Sequence, residues 1–341
     1  MKILVTGGTG FTGHNLTQRL LRDGHQVRLL VRSRSRVALE PQPTLEIHEG
    51  DIRDRAAVDK AVAGVAKIFN LAAMYRTASA VDQDYRDIHV EGTRHLLEAA
   101  VRHHVERFVH CSTVGVHGDV KAPPATEESP YAPADIYQRT KLEGELLARE
   151  FAARNGLALT VVRPTAIYGP GDLRLLKLFK LAVRNITPVI GTGKIYYHMV
   201  YIDDLVEGFI LASEAEAAIG QVFIVGGEEK MVLDDLLSAI ARITGRPESK
   251  IHIPALPFQL AGSLCEKICI PLGLEPPIYR RRVDFFTKSR LFDIGKVKRL
   301  LGYAPKFGLQ EGLRRTAAWY KQQGMLFYQM TFMLSDIMTS I

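Results

Sequence analysis

The sequence of 341 residues contains few cysteines. The three that occur, Cys111, Cys265 and Cys269, match no metal-binding spacing, so no metal site is predicted. Cys265 and Cys269 are spaced to share a helix face, and we expect both to be small buried apolar residues. This cysteine usage predicts a reduced, cytoplasmic protein.

Long apolar runs are also missing. No uninterrupted run approaches the roughly 18 residues that a membrane-spanning helix needs. The N-terminus, MKILVTGG, leads into a short apolar strand and lacks the apolar core and cleavage site of a secretory signal. Hydrophobic residues make up 47% and charged residues 24%, which is ordinary for a soluble globular protein with one large domain and a lobe, or with two domains.

The net charge of +7 does not form the basic stripe with interleaved aromatic residues that is typical of nucleic-acid binding. The basic clusters, RSRSR at 32–36 and RRR at 280–282, lie far apart in the sequence. We therefore expect an anionic small molecule as ligand, and no nucleic acid.

Apolar β-type runs alternate with helical patterns through the first half. Strands are predicted at KILVT, QVRLLV, LEIHEG, KIFNLAA, RFVHCS and ALTVVRP, and helices at 11–23, 55–63, 85–104 and 133–155. Strands this apolar, separated by helices, indicate a parallel sheet covered on both faces. Right-handed crossovers then predict a doubly wound α/β fold.

The pattern loosens after Pro164. Helices are predicted near 173–183 and 203–212, a strand at QVFIVGG, an apolar helix at FQLAGSLCEKICI and a terminal helix. We expect residues 1–165, joined by the strand near 221–226, to form the sheet domain. Residues 166–330 then form a smaller irregular lobe over the carboxyl edge of the sheet, where ligands of such folds bind, and 325–341 form an apolar tail.

The segment GGTGFTG lies between the first strand and the first helix. Its glycines permit a tight turn and close approach of a pyrophosphate, which the helix N-terminus also attracts. The context predicts a dinucleotide site. Its predicted contacts are Gly7, Gly10, Phe11, Thr12 and Gly13.

The end of the second strand selects the cofactor. An acidic residue there would bind the ribose of NAD, but this sequence has Arg32, Ser33 and Arg34, which suit a 2′-phosphate. NADP(H) is therefore favoured over NAD(H), the alternative being that the loop is merely solvated. Asp51, after the third strand, either reaches the adenine or caps the next helix.

The segment YQRTK places Tyr137 and Lys141 one helical turn apart. Ser112 and Thr113 end the fifth strand, so a phenol, an ammonium and a hydroxyl converge at the same sheet edge. The reference pKa of a phenol is about 10, and a nearby cation favours the phenolate. The predicted roles are acid/base for Tyr137 and orientation of the substrate oxygen for Thr113.

These motifs, with GDIRD, NLAA, VEGTRHLLEAA, VVRPTAIYGPGD and VYIDDLV, resemble the extended short-chain dehydrogenases/reductases of the NAD-dependent epimerase/dehydratase type over nearly the whole chain. The resemblance implies a Rossmann fold and catalysis by Tyr137, Lys141 and Thr113, with Lys141 also holding the nicotinamide ribose. Further implied cofactor contacts are Asp51, Ile52, Ala72, Ala73, Ser112 and Pro164.

The resemblance also implies a homodimer formed through the helices of VEGTRHLLEAA and YQRTK. One position departs from the family pattern: His89 stands where an asparagine usually supports the helix of the tyrosine and lysine. A tolerated structural replacement is the favoured interpretation, and an altered proton relay is the alternative.

Two substrate classes compete. A nucleotide-activated sugar is favoured, with Lys194, Arg281, Arg282 and Arg290 as candidate anion contacts. The same region also resembles 3β-hydroxysteroid or sterol dehydrogenases. In that case the apolar segment 258–270 and the tail would form an apolar pocket or make weak contacts with a membrane surface. Apolar helix faces more commonly pack in a protein core or an interface. A third hypothesis is an NADP(H)-binding sensor or scaffold without turnover.

Overall fold

Seven parallel strands form the central sheet. The structure is a computed structural model, and it describes residues 1–75, 81–269 and 280–326. They are β1 (Lys2–Thr6), β2 (Gln26–Val31), β3 (Leu45–Glu49), β4 (Lys67–Asn70), β5 (Arg107–Cys111), β6 (Leu159–Pro164) and β10 (Val222–Val225). The strand order is β3-β2-β1-β4-β5-β6-β10. The order reverses between β1 and β4, and such a switch opens a crevice at the carboxyl edge. The predicted doubly wound α/β fold is confirmed.

Helices cover both faces of the sheet. The chain carries α1 (Phe11–Arg22), α2 (Arg55–Val62), α3 (Asp82–Arg86), α4 (Gly92–Arg102), α5 (Ile136–Asn155) and α7 (Ile202–Glu214) around it. One apolar core lies under α1 and α7 and continues into the C-terminal part, and a second lies under α2, α4 and α5. Helix α7 was assigned to the C-terminal lobe by the sequence, but it packs on β5 and β6 beside α1. Residues 202–214 therefore belong to the helical layer that covers the central sheet.

The remaining described elements build the C-terminal part. They are β7 (Ala166–Tyr168), α6 (Leu176–Ala182), β8 (Thr187–Ile190), β9 (Tyr196–Tyr201), β11 (Lys230–Val232), α8 (Leu233–Ile243), β12 (Lys250–Ile253), α9 (Ala255–Cys269), α10 (Arg280–Thr287), α11 (Gly295–Leu301) and α12 (Leu309–Gln322). Strands β7, β9 and β11 form one small sheet, and β8 and β12 form another. The predicted tail lies outside the described residues from 327 onwards.

Helix α5 begins three residues later than predicted. The Asp135 carboxylate accepts a hydrogen bond of 2.8 Å from the backbone N–H of Gln138, which makes Asp135 the N-cap. The helix ends at Gly156, whose φ of 65° is left-handed and whose N–H bonds to the Ala152 carbonyl. The cap places Tyr137 in the first helical turn.

The helix predicted over 85–104 contains a π-helical turn at Asp87–Glu91. Turns of this kind insert one extra residue and occur often at functional sites. The turn carries His89, and it packs so tightly on α5 that a Cβ at Gly144 would lie 2.2 Å from the His89 carbonyl oxygen. The position of His89 is therefore fixed by close backbone contact.

Helix α9 exposes an apolar row instead of burying it. Leu256, Leu260 and Leu264 are about 60% exposed. Cys265 and Cys269 are partly exposed, so the expectation that both are buried was wrong. None of the helices in the described residues is sufficiently long and apolar to span a bilayer.

Candidate active site

A cavity of about 1030 Å³ opens at the carboxyl edge of the sheet. Its walls are the turns that follow β1, β4, β5 and β6, together with segments of the C-terminal part. The predicted site residues that line it are Gly7, Gly10, Phe11, Thr12, Gly13, Ala73, Ser112, Thr113, Tyr137, Pro164 and Arg290. The fold therefore brings the glycine loop, the phenol and the threonine hydroxyl to one cavity.

The glycine loop leaves no room for side chains. Gly7 has a φ of 73°, and a Cβ there would lie 2.8 Å from the Leu71 carbonyl. A Cβ on Gly13 would lie 2.2 Å from the Gly7 carbonyl oxygen. Both glycines are thus required for the close approach of loop, helix and neighbouring strand.

The N-terminus of α1 faces the same cavity. Its N-cap, Gly10, offers no side-chain cap, and the first turn contains no acidic residue. The N–H groups of this turn carry partial positive charge and suit a phosphate. The residues present therefore fit the pyrophosphate of a dinucleotide, whose binding here stays a prediction.

Tyr137 and Thr113 supply the hydroxyl groups. The Thr113 Oγ1 accepts the Gly115 N–H at 3.1 Å, which leaves its proton available to a ligand oxygen in the cavity. The Tyr137 ring packs edge-on against the rings of Tyr75 and His89, with centroids 5.2 and 5.6 Å away. These contacts fix the phenol in the cavity wall.

Lys141 lies one turn further along α5 and is only 3% exposed. Its ammonium donates to the Cys111 carbonyl oxygen at 2.5 Å. Burial lowers the pKa of Lys141, although the neighbouring Cys111 and Glu145 act in the opposite direction. A partly desolvated ammonium at this depth acts strongly on nearby charge.

Ser112 is committed to a buried ion pair. Its hydroxyl donates to the Glu145 carboxylate at 2.6 Å, and the same carboxylate binds the Arg163 guanidinium with both oxygens. Glu145 and Arg163 are both fully buried. The pair joins α5 to the ends of β5 and β6, directly beside the cavity, so the Ser112 hydroxyl is anchored while Thr113 lines the cavity.

His89 connects the loop after β4 with α5. Its Nε2 accepts the Met74 N–H at 3.0 Å, so its Nδ1 carries the proton and donates to the Thr140 Oγ1 at 2.8 Å. Thr140 in turn donates to the Ile136 carbonyl. Both ring nitrogens are engaged, which supports the structural interpretation of this position over a proton relay.

Burial, aided by the positive charge of Lys141, lowers the pKa of His89 to about 2. The unfolded histidine binds a proton near pH 6.5 that the native one excludes, so stability falls as the pH drops below 6.5. From pH 7.5 to 5.5 the free energy of unfolding should fall by about 1.4 kcal/mol more in the wild type than in His89→Asn. Urea unfolding at both pH values measures this, and parallel decreases in the two proteins would contradict it.

The loop after β2 carries the predicted cofactor-selecting residues. Arg32 and Arg34 are exposed, and Arg34 donates to the Ile47 carbonyl at 3.1 Å. The Ser33 and Ser35 hydroxyls are hydrogen-bonded to each other at 2.8 Å. Arg32 is left with its guanidinium in solvent near Asp51.

Three residues that were predicted to contact the cofactor, Asp51, Ile52 and Ala72, are not among the residues that line the cavity. The helix cap of α2 is Asp54, which accepts from two backbone N–H groups, whereas Asp51 pairs with Arg53. Burial raises the pKa of Asp51, but its bonds to Arg53 outweigh this and the net shift is downward. Ile52 is buried, and the Ala72 N–H bonds to the Thr6 hydroxyl.

The four basic residues that were predicted to bind the substrate are not all found at the cavity. Arg290 lines the cavity, but its guanidinium donates to the Lys288 and Asp284 carbonyls. Lys194 is exposed in the turn between β8 and β9. The side chains of Arg281 and Arg282 lie outside the described ones.

Other residues of the cavity wall escaped sequence analysis. Tyr75, Arg174, His198 and Phe292 all line the cavity. Tyr75 follows β4, Arg174 follows β7, His198 lies on β9 and Phe292 lies in a loop before α11. They therefore have no common spacing in the sequence. Of these four residues, only Arg174 could have been suspected from the sequence, because it closely follows the motif YGPGD.

The chain is similar to known enzymes along most of its length. It is 30% identical over 347 residues to a 3 beta-hydroxysteroid dehydrogenase/Delta 5-->4-isomerase of Mycobacterium tuberculosis, covering 96% of this chain and 92% of that protein. It is 31% identical over 339 residues to a 2-alkyl-3-oxoalkanoate reductase of Stenotrophomonas maltophilia, covering 93% and 99%. The structure matches that of a UDP-glucuronic acid 4-epimerase from Bacillus cereus in complex with NAD, with a TM-score of 0.76, 25% identity and coverage of 95% and 99%.

Residues 3–226 match the model of the NAD dependent epimerase/dehydratase family, which confirms the resemblance found in the motifs. The match includes the glycine loop, Thr113, Tyr137 and Lys141. The chain therefore belongs to the NAD dependent epimerase/dehydratase family and is an NAD(P)-dependent enzyme of the oxidoreductase and epimerase type.

Proposed function

We propose that this enzyme is a dehydrogenase or reductase that interconverts a secondary alcohol and a ketone on a largely apolar molecule of the 3β-hydroxysteroid or 3-oxoalkanoate kind. The observation that carries the proposal is a cavity in which Thr113 and Tyr137 meet a predominantly nonpolar wall. This reverses the order of the two substrate classes that the sequence suggested.

The glycine loop and the N-terminus of α1 would hold a nicotinamide dinucleotide, which would supply or accept the hydride when bound. Thr113 donates its free proton to the substrate oxygen and orients it. Tyr137 removes the hydroxyl proton during oxidation and returns it during reduction. Lys141 stabilises the phenolate by its charge, and its burial strengthens that interaction.

Two observations favour an apolar substrate. Tyr75, Ile167, Leu173 and Phe292 contribute apolar surface to the wall beyond the phenol. Of the four cations expected to bind a diphosphate, only Arg290 is seen to line the cavity among the described side chains. The relatives named for a hydroxysteroid and for an oxoalkanoate agree with this choice.

A nucleotide-activated sugar is the second candidate. It is supported by the structural likeness to the UDP-glucuronic acid 4-epimerase. An epimerase of this kind would retain its cofactor through the reaction, whereas the proposed dehydrogenase must exchange it.

A substrate panel separates the candidates. The purified enzyme with NADP⁺ or NAD⁺ is given a 3β-hydroxysteroid, a 2-alkyl-3-hydroxyalkanoate, UDP-glucose and UDP-glucuronic acid, and reduced nicotinamide is followed by absorbance. We expect net reduction of the cofactor with one of the first two. Epimerisation of a nucleotide sugar without net reduction would replace the proposal, and cofactor binding without turnover of any of the four would support the sensor hypothesis.

We propose further that the cofactor is NADP(H). Arg32 lies at the carboxyl end of β2 with its guanidinium exposed. The variant Arg32→Ala should weaken NADPH binding by about 10- to 100-fold and leave NADH binding nearly unchanged, because only the 2′-phosphate makes the charged contact. Arg36→Ala, in the same loop, is the control, and calorimetric dissociation constants measure the effect. Equal losses for the two cofactors would contradict the preference.

A further inference from the structure

Arg174 is a cation at the reacting end of the cavity. It lies in the loop between β7 and α6, and its guanidinium carbon is 5.6 Å from the centroid of the Phe11 ring and 5.8 Å from that of Tyr75. Phe11 belongs to the glycine loop, and the Tyr75 ring contacts the Tyr137 ring. Arg174 thus reaches from the C-terminal part to the ring that packs against Tyr137.

One edge of this guanidinium is held in place. The buried Asp172 accepts a bond of 2.7 Å from Nε of Arg174 and also binds the backbone N–H groups of Arg174 and Leu175. The Tyr320 hydroxyl donates to the Asp172 carbonyl at 2.5 Å. These bonds fix the loop and orient the guanidinium before any ligand arrives.

The other edge is open. Nη2 makes only a long contact of 3.4 Å with the Ile167 carbonyl, and Nη1 has no acceptor among the described residues. The side chain is 41% exposed and lines the cavity. Burial lowers the pKa of Arg174. The neighbouring Asp172 and, less strongly, Tyr75 and Tyr137 raise it by more, so the net shift of the Arg174 pKa is upward. A cation with a free planar edge remains at any physiological pH.

We infer that Arg174 binds a carboxylate of the substrate, and that the substrate is a 3-hydroxy or 3-oxo acid whose carboxylate lies close to the carbon that exchanges hydride. This rests on the proposed function and specifies its substrate. A guanidinium edge matches a carboxylate with two parallel hydrogen bonds. The N-terminus of α1 already suits the pyrophosphate, whereas Arg174 lies over the Tyr75 ring, which packs against Tyr137, where the substrate must lie.

A matched pair of substrates tests the inference. The enzyme oxidises a 2-alkyl-3-hydroxyalkanoate and its methyl ester, which differ in the charge that Arg174 would bind. The variant Arg174→Gln should lower kcat/KM for the acid on the order of 10- to 100-fold and change that for the ester by less than about threefold. Arg174→Lys should recover part of the loss for the acid. Lys177→Gln, an exposed cation on the next helix, should alter neither.

The outcomes separate the inference from its basis. An equal loss of kcat/KM for the acid and the ester would mean that Arg174 acts on Tyr137. A rise in the NADP⁺ dissociation constant as large as the loss of kcat/KM would mean that Arg174 holds the pyrophosphate. Either result overturns the inference. If the wild type oxidises a 3β-hydroxysteroid but neither the acid nor the ester, the inference fails while the proposed function survives. If only a nucleotide sugar reacts, both fail.

Discussion

Replacement of Tyr137 by phenylalanine should lower turnover by about 10³-fold and leave cofactor affinity within about threefold of the wild type. The substitution removes one oxygen and keeps the ring, whose contacts with Tyr75 and His89 hold it in the cavity wall. If Tyr137 is the base, oxidation of an alcohol then lacks it, whereas the glycine loop and α1 are unchanged and should still bind the dinucleotide. Steady-state rates and calorimetric binding measure the two effects.

Tyr196→Phe is the matched control, because Tyr196 is an exposed tyrosine at the start of β9. It should keep the wild-type rate. Turnover of the Tyr137→Phe variant above one tenth of the wild-type value would reject the acid/base role of Tyr137. A parallel loss of cofactor binding would instead show that the phenol serves binding.

Replacement of Glu145 by alanine should lower the free energy of unfolding by about 3–5 kcal/mol, because it leaves the charge of Arg163 buried and unpaired. The Glu145 carboxylate accepts from Nε and Nη2 of Arg163 and from the Ser112 hydroxyl, and no part of either charged side chain reaches solvent. The cost should also extend to activity, since Ser112 and Pro164 flank the cavity and depend on this pair for their position.

Glu150→Ala supplies the control on the same helix. Glu150 pairs with Arg154 at the surface, where both side chains are more than half exposed. Removing an exposed pair of this kind changes stability by about 0–1 kcal/mol. Urea unfolding of the two variants measures the difference, and a loss below 1 kcal/mol for Glu145→Ala would show that the buried pair contributes little.

Local patterns in the sequence were sufficient to predict the central sheet. Each strand of the first half is a short apolar run between helical segments, so its position and its parallel arrangement follow from burial on both faces. The strand at 222–225 was also predicted, because its apolar run is as clear as the others. Boundaries shifted where a side chain capped a helix, as Asp135 does for α5.

The same reasoning placed the glycine loop, Thr113 and Tyr137 at one edge, since the carboxyl ends of parallel strands meet there. Their chemical roles remain predictions until the variants are measured. An apolar helix was predicted at 258–270 and is observed at Ala255–Cys269. Its exposure was left open between core, pocket and membrane surface, because periodicity gives the spacing of an apolar row and not the surface it faces.

The sequence by itself determined the family, the doubly wound sheet and the glycine loop that follows the first strand, because each is encoded by neighbouring residues in a fixed local conformation. Only the tertiary structure decided that His89 is engaged at both nitrogens, that Ser112 binds Glu145, and that Arg174 lies over the Tyr75 ring. These contacts join residues up to about a hundred positions apart, and such pairs are selected by packing and burial of the whole chain, which no local pattern records.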